Sequence, residues 1–215
     1  MELMSKREEY LISIFKICET GRDVSNKDLS EWLDLAPATV SEMVKKLKTE
    51  GLLKNEKKIS LSDEGIKIVK KVLSKHRLWE YFFTEVLDYN WKDVHSNAEL
   101  FQSVTSDELF NKLNEHLGFP EYCPHGSIIY LNNEEKNSDL VKLSEAEIEN
   151  KYIIRRIRDN RSLLKYIENI ELKIGDRIVI KGYDDFDDSA IISKDGKEIR
   201  VSNKATSNIY LKEII

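Results

Sequence analysis

Between Ser25 and Gly51 the chain has room for two short helices and one tight turn, and for little else. Ser25 suits an N-cap, and Asn26 to Leu33 places Leu29, Trp32 and Leu33 on one helical face. Asp34-Leu35-Ala36 breaks that pattern, and Pro37 follows, with a fixed φ that is well tolerated at the first position of a new helix. The second helix runs through Thr39, Val40, Met43, Val44 and Leu47 and stops at Gly51, a suitable C′ residue. Two helices joined in this way, the second ending in lysines, predict a helix-turn-helix. A helix over Glu8 to Cys18, with Tyr10, Leu11, Ile14, Phe15 and Cys18 in its stripe, precedes the pair. Leu52-Leu53-Lys54 and Ile59-Ser60-Leu61 flank a polar reversal at Asn55 to Lys58, which predicts a short hairpin, the wing of a winged-helix module.

Charge supports a nucleic-acid role only locally. The formal net charge of −5 argues against a generic polyanion binder. From Met43 to Lys75, however, ten lysines face four acids, giving +6 and leaving −11 for the remainder. Screening confines electrostatic attraction to about 8–10 Å, so the local excess is what a phosphate backbone would meet. Taken alone, the lysines also fit a solvated face. The two cysteines, Cys18 and Cys123, cannot make a disulfide framework or a cysteine-only zinc site. No Gly-rich phosphate loop is present. No apolar run has the length of a membrane span, and Met1 to Lys6 opens without a secretory core, so an intracellular, cytoplasmic protein with no membrane partner is expected.

Beyond the wing, Ser62 caps an expected long helix from Asp63 to about Val86, with Ile66, Val69, Val72, Leu73 and Leu78 in its stripe. Helices are expected from about Trp91 to Ser103 and from Ser106 to Leu117, the latter closed by Gly118 and Phe119-Pro120. The large apolar residues between Trp79 and Phe110 exceed what a thin helical layer needs for its own core, and predict a dimer arm. Asn132 to Asp139 reads as a linker. The tail then changes period. Tyr152-Ile153-Ile154, Ile178-Val179-Ile180 after the turn Gly175-Asp176, and Ile191-Ile192 with Ile199-Arg200-Val201 around Asp195-Gly196 read as strands, with a helix near Leu163 to Ile167. The expected fold is mainly α with a small β part: a winged helix-turn-helix over 1–72, a helical dimerisation domain with linker over 73–142, and an SH3-like β-barrel over 143–215.

Few residues offer chemistry. His76 and Glu80 lie four apart on one helix face and suit either a divalent cation or a surface hydrogen bond. Cys123-Pro124-His125 presents a thiol and an imidazole on the same side of extended chain, where they could grip one metal or be a buried Cys beside a loop histidine. His95 and Glu99 share another helical face, with Gln102 and Ser103 in the next turn. No Ser/His/Asp order and no isolated carboxylate pair stands out, so an enzyme is not expected.

Several of these stretches together resemble the diphtheria-toxin-repressor family of metal-dependent regulators over essentially the whole chain, most closely its three-domain, manganese-regulator branch from Gram-positive bacteria. They are Glu9-Tyr10-Leu11, Pro37 to Met43, Lys75-His76-Arg77-Leu78, Val94-His95, Ser106-Asp107, Leu117 to Pro120 and Cys123-Pro124-His125-Gly126. Arg156 to Asp159, Leu163 to Tyr166 and Ile174-Gly175-Asp176 match the entry to that family's C-terminal SH3-like, FeoA-like domain. The resemblance implies a primary metal site of Glu80, Cys123, His125 and Asp159. It implies a weaker second site from Glu9, Glu99 and Gln102, where Gln102 and Ser103 replace the family's usual Glu and His, with His76 and His95 as auxiliary ligands or hydrogen-bond partners.

The function so implied is a homodimeric repressor of manganese or iron uptake genes, binding a double-stranded DNA operator when loaded with Mn²⁺ or Fe²⁺, with Zn²⁺ also compatible with the cysteine. Ala38, Thr39, Ser41 and Glu42 lie where a recognition helix meets bases and phosphates, and Lys45 and Lys46 suit sequence-independent phosphate attraction. Two rivals stand beside this reading. One is a DNA-binding regulator that has lost metal sensing or responds through oxidation of Cys123. The other is a small metalloenzyme, which four protein ligands disfavour by leaving little open coordination.

Overall fold

The computed structural model describes residues 5–19, 21–133 and 139–214, which divide into two compact units. The first comprises Met1–His76 and Glu99–Phe110, the second Arg77–Ala98 and Asn111–Ile215. The linker expected over 132–139 falls mostly outside the described residues.

In the first unit, α1 (Lys6–Cys18) begins at a capping box in which Ser5 and Glu8 satisfy each other's backbone N–H groups, and α2 (Asn26–Leu33) repeats the device with Ser25 and Asp28. Asp34 ends α2 in the left-handed region at φ 53°, a conformation that Asp tolerates better than most residues. The second helix of the motif, α3 (Pro37–Thr49), starts on Pro37 without a side-chain cap. Its Val40, Val44 and Leu47 are buried, as are Leu11, Ile14 and Leu29 of the two preceding helices. The expected wing forms with very little ladder: Leu53 bridges Leu61, and the Lys54 N–H donates to the Ser60 carbonyl at 2.9 Å. Val24, which the sequence pattern left unassigned, adds a bridge to Ile59.

The long helix α4 (Asp63–Glu85) starts under Ser62, whose hydroxyl accepts from the Gly65 N–H at 3.1 Å. Helix α5 (His95–Val104) begins four residues later than the sequence predicts. Asn90 takes those residues away from it: its side-chain oxygen accepts from the Lys92 N–H and its carbonyl from the Asp93 N–H, so 90–93 is a turn. Helix α6 spans Asp107–His116, with Ser106 bonding the Leu109 N–H in its first turn.

The second unit holds two apolar clusters. Trp79, Phe83, Val94 and Ala98 form the smaller, with Phe82 and Leu113 packed against them. The larger lies in the expected C-terminal β domain, a six-stranded antiparallel sheet in the order β1-β6-β2-β3-β4-β5. Its strands are β1 (Val141–Lys142), β2 (Lys151–Ile157), β3 (Arg177–Tyr183), β4 (Ala190–Lys194), β5 (Lys197–Val201) and β6 (Ile209–Glu213). Helix α7 (Arg161–Asn169), capped by Asn160, buries Leu164 and Ile167 in this core, and the short α8 (Asn203–Thr206) buries Ala205. Register shifts in β2 between Ile154 and Arg156 and in β3 between Ile180 and Gly182 mark the irregularities expected where a small sheet curls. β6, which the sequence reading did not assign, is the pivot of the sheet, pairing β1 on one side and β2 on the other.

Candidate metal centre and DNA-facing helix

Cys123 and His125 sit on a tight turn. The Cys123 carbonyl accepts from the Gly126 N–H at 2.9 Å, and the Cys123 N–H donates to the Ser127 carbonyl at 2.9 Å. Gly126 takes φ +77°, and a side chain there would run into the Arg155 carbonyl of β2. Only glycine lets the turn lie this close to the sheet. The turn is fixed further by the Ile157 N–H, which donates to the His125 carbonyl at 3.0 Å. Helix α4 brings Glu80 to the same point, and its preceding turn carries Arg77, which donates to the Ile128 carbonyl at 2.6 Å and so ties the helix to the segment after the turn.

Glu80, Cys123 and His125 are all buried, and one ligand atom from each lies within 4.8 Å of the others. His125 Nδ1 is 3.4 Å from Glu80 Oε2 and 3.8 Å from Cys123 Sγ. On the far side of the ring, Nε2 lies 2.8 Å from the Trp91 carbonyl. A carbonyl can only accept, so Nε2 carries a proton, and it is Nδ1, facing the thiol and the carboxylate, whose lone pair becomes available once the ring loses its second proton. The Trp91 indole stacks on the imidazole at 5.6 Å between centroids and 24° between planes.

The fourth residue of the expected primary site does not join that group. Asp159 approaches His125 from the Nε2 side, with Oδ1 at 3.8 Å, away from Cys123. It groups instead with Glu80 and His95, whose Nδ1 lies 3.7 Å from Glu80 Oε1 and is ion-paired to Asp159 Oδ2. Glu80 therefore divides its two oxygens between two histidines. Helical spacing alone pairs His95 with Glu99, one turn along its own helix, whereas packing gives it Glu80 and Asp159. Buried His76 precedes Glu80 by one turn of α4 and shares its face.

The acids hold protons on both rings. Asp159, then Glu80, push His95 up to about 10 and outweigh its partial desolvation. Burial pulls His125 towards the neutral ring, but hydrogen bonds to Cys123 and Glu80 outweigh it and push the ring up to about 12. A site that stabilises positive charge this strongly, from a thiol, imidazoles and carboxylates, has the donor set of a transition-metal centre.

The residues expected at the second site behave differently. Glu99 is exposed, Gln102 is buried, and the Ser103 hydroxyl donates to the Leu100 carbonyl of its own helix at 2.8 Å. Glu9 is exposed on α1. Glu9 and Glu99 fall in neither cation-sized group among the described residues.

Helix α3 exposes Ala38, Thr39, Ser41, Glu42, Lys45 and Lys46 while its other face is core. Asn26, at the start of α2, donates to the Ser41 hydroxyl at 3.3 Å. Lys48 turns away from that row and donates to the Glu56 carbonyl in the wing at 2.6 Å.

Three domain families match in succession: the iron dependent repressor N-terminal DNA binding domain over residues 2–61, the iron dependent repressor metal binding and dimerisation domain over 62–131, and the FeoA domain over 141–213. The chain is also 33% identical to the manganese regulator SloR, over 97% of this chain and 98% of that one, with a TM-score of 0.80. It belongs to the diphtheria-toxin-repressor family of iron- and manganese-dependent transcriptional repressors. Within the family, the apo manganese-activated repressor ScaR is 32% identical over 96% of this chain and 100% of its own, with a TM-score of 0.86, and ScaR structures also hold Cd²⁺ or Zn²⁺. The iron-dependent repressor IdeR of Mycobacterium tuberculosis is 30% identical over 130 residues, 60% of this chain and 56% of IdeR. The chain spans little more than half the length of that curated relative. No helix among the described residues is long and apolar enough to cross a membrane.

Proposed function

We propose that this family member is a homodimeric cytoplasmic repressor whose hold on a DNA operator depends on a divalent cation, and that it governs manganese or iron uptake genes. The observation that carries the reading is the convergence of buried Glu80, from helix α4, with buried Cys123 and His125, from a turn distant in sequence, around one point. Cys123 Sγ, His125 Nδ1 and Glu80 are the residues that would hold the ion, with Asp159 and His95 on the other oxygen of Glu80 and His76 as a further auxiliary. When bound, the ion supplies positive charge and Lewis acidity to this donor set. The carboxylates favour Mn²⁺ or Fe²⁺, and the cysteine extends the range to Zn²⁺. Ordering these ligands around one cation favours the DNA-competent population of the protein. The set around Glu99 and Gln102 holds ions weakly or not at all, since Gln102 is neutral and Ser103 is committed to its own helix.

On the DNA side, Thr39 and Ser41 donate to phosphates, Ala38 meets a thymine methyl, Glu42 accepts from cytosine, and Lys45 and Lys46 attract the backbone. Symmetry supplies the second half-site. DNA binding measured in chelator and then with Mn²⁺, Fe²⁺ and Zn²⁺ tests the whole reading. Tight binding only with metal is expected. Equal binding with and without metal would overturn it and favour a regulator that has lost metal sensing.

A further inference from the structure

The turn between α4 and α5 is tied to α7 at three residues in a row. Trp91 Nε1–H donates to Glu168 Oε1 at 2.8 Å, and Lys92 Nζ donates to Glu168 Oε2 at 2.6 Å. Asp93 accepts from Arg161, the first residue of α7, at 2.9 Å. Both oxygens of one carboxylate are thus committed to neighbouring residues of a single turn. The Lys92 ammonium, with further hydrogen bonds from Trp91 and Asn90, holds the Glu168 carboxyl below its usual range, so it remains an acceptor. An isolated surface pair would fix little. This pair is only partly exposed, at 25% and 29%, and acts with the indole bond and the Arg161 bond on the same turn.

What that turn carries is the hold on His125. The Trp91 carbonyl accepts a hydrogen bond from Nε2–H and the Trp91 ring stacks on the imidazole. We propose that Glu168 is a positioning residue of the metal centre: by fixing Trp91 and Lys92 it fixes the carbonyl and ring that keep His125 Nδ1 turned to Glu80 and Cys123. Glu168 itself lies outside the ligand set and works from the C-terminal domain. The proposal rests on the metal-dependent reading for its consequence, though its geometry does not.

Glu168→Ala and Glu168→Gln in the full chain test it. In metal-free protein, NMR reads the solvent exchange of the His125 Nε2 proton, and calorimetry then reads Mn²⁺ affinity. Partners outside the ligand shell commonly change metal affinity 10–100-fold, and Glu168, one contact further out, should change it about tenfold. Glu168→Ala should speed the exchange and weaken Mn²⁺ binding together. Glu168→Gln, which keeps an amide oxygen for the indole N–H, should recover most of both. If Glu168→Ala does not fold, Trp91→Phe replaces it, retaining a stacked ring and the carbonyl but losing the N–H, and should reproduce both effects. Unchanged exchange, or a fall in melting temperature with exchange and affinity intact, overturns the proposal. A wild-type chain that takes up no Mn²⁺ overturns the proposed function instead, while the metal-free exchange measurement still decides the role of Glu168.

Discussion

His125 turns Nδ1 to Oε2 of Glu80 at 3.4 Å, with both side chains almost wholly out of water. A buried carboxylate beside a buried ring is tolerable only when something positive lies between or on them. In the metal-free chain that is a proton, which the values of about 12 for His125 and about 10 for His95 express, both above the ordinary 6.5. Raised folded-state values contribute stability that is fully present below about 6.5 and lost as pH rises through 10 and 12. Metal binding runs the other way, since each ring that becomes a ligand must give up its proton. Mn²⁺ affinity should therefore fall as pH is lowered, with about one to two protons released per ion near neutral pH. Calorimetry in buffers of different ionisation heat counts them, and zero release would contradict the assignment.

Cys123→Ala should abolish tight metal binding and metal-dependent DNA binding together. Gln102→Ala should alter either only mildly. Loss of one ligand from a tight site commonly costs several kcal/mol, so the two sites should differ in affinity by orders of magnitude. Two equally tight ions per chain in a titration would be the contrary result.

Lys45 and Lys46 are exposed on α3, clear of its core face. Changing both to alanine should weaken binding about equally on operator and random duplexes and reduce the slope of log K against log salt by about 1 per lysine. Glu42→Ala should instead change discrimination between sites. Identical effects of the two changes on every sequence would end the division between phosphate and base contacts.

Two glycines with similar backbones separate strain from space. Gly118 at φ +71° has nothing within 4 Å of an added Cβ, whereas Gly126 at φ +77° faces the Arg155 carbonyl. Gly118→Ala should cost about 1 kcal/mol from backbone conformation alone. Gly126→Ala should cost clearly more and weaken metal binding, because the collision moves the turn that carries His125. Denaturant melts of the two variants compare them directly.

Of the large apolar residues between Trp79 and Phe110, Trp79, Phe83 and Phe110 are buried within the chain, while Leu100, Phe101 and Leu109 stand 43–46% exposed and Val104 66%. An outward row of this kind fits a two-fold interface. Phe101→Asp with Val104→Asp should convert a dimer into a monomer by light scattering at micromolar concentration. A wild-type monomer, with DNA absent and present, would remove the dimer from the proposal.

The helix-turn-helix was legible because its information is local: Ser25 caps, Pro37 starts, Gly51 stops, and period 3.6 does the rest. The residues around Trp91 were misread because the same apolar spacing is overridden by Asn90, whose side chain bonds the backbone ahead of it. β6 escaped because Ile209 to Glu213 is short and terminal, and its importance lies in pairing with strands more than fifty residues away. Spacing offered Cys123 with His125 and His76 with Glu80 as separate candidate pairs, but only the family resemblance put Glu80 with Cys123 and His125, since spacing alone cannot say that Cys123 faces Glu80. Spacing also paired His95 with its helical neighbour Glu99, when tertiary packing gives it Glu80 and Asp159.

The stacking of Trp91 on His125 makes the protein its own optical sensor. A protonated imidazole beside an indole quenches fluorescence by accepting an electron from the excited ring, and loss of that proton relieves the quenching. The chain has only three tryptophans, and Trp32 and Trp79 can be replaced by phenylalanine to leave Trp91 as sole emitter. Its emission would then report the charge state of a buried ring that no dye could reach, in real time and without a label.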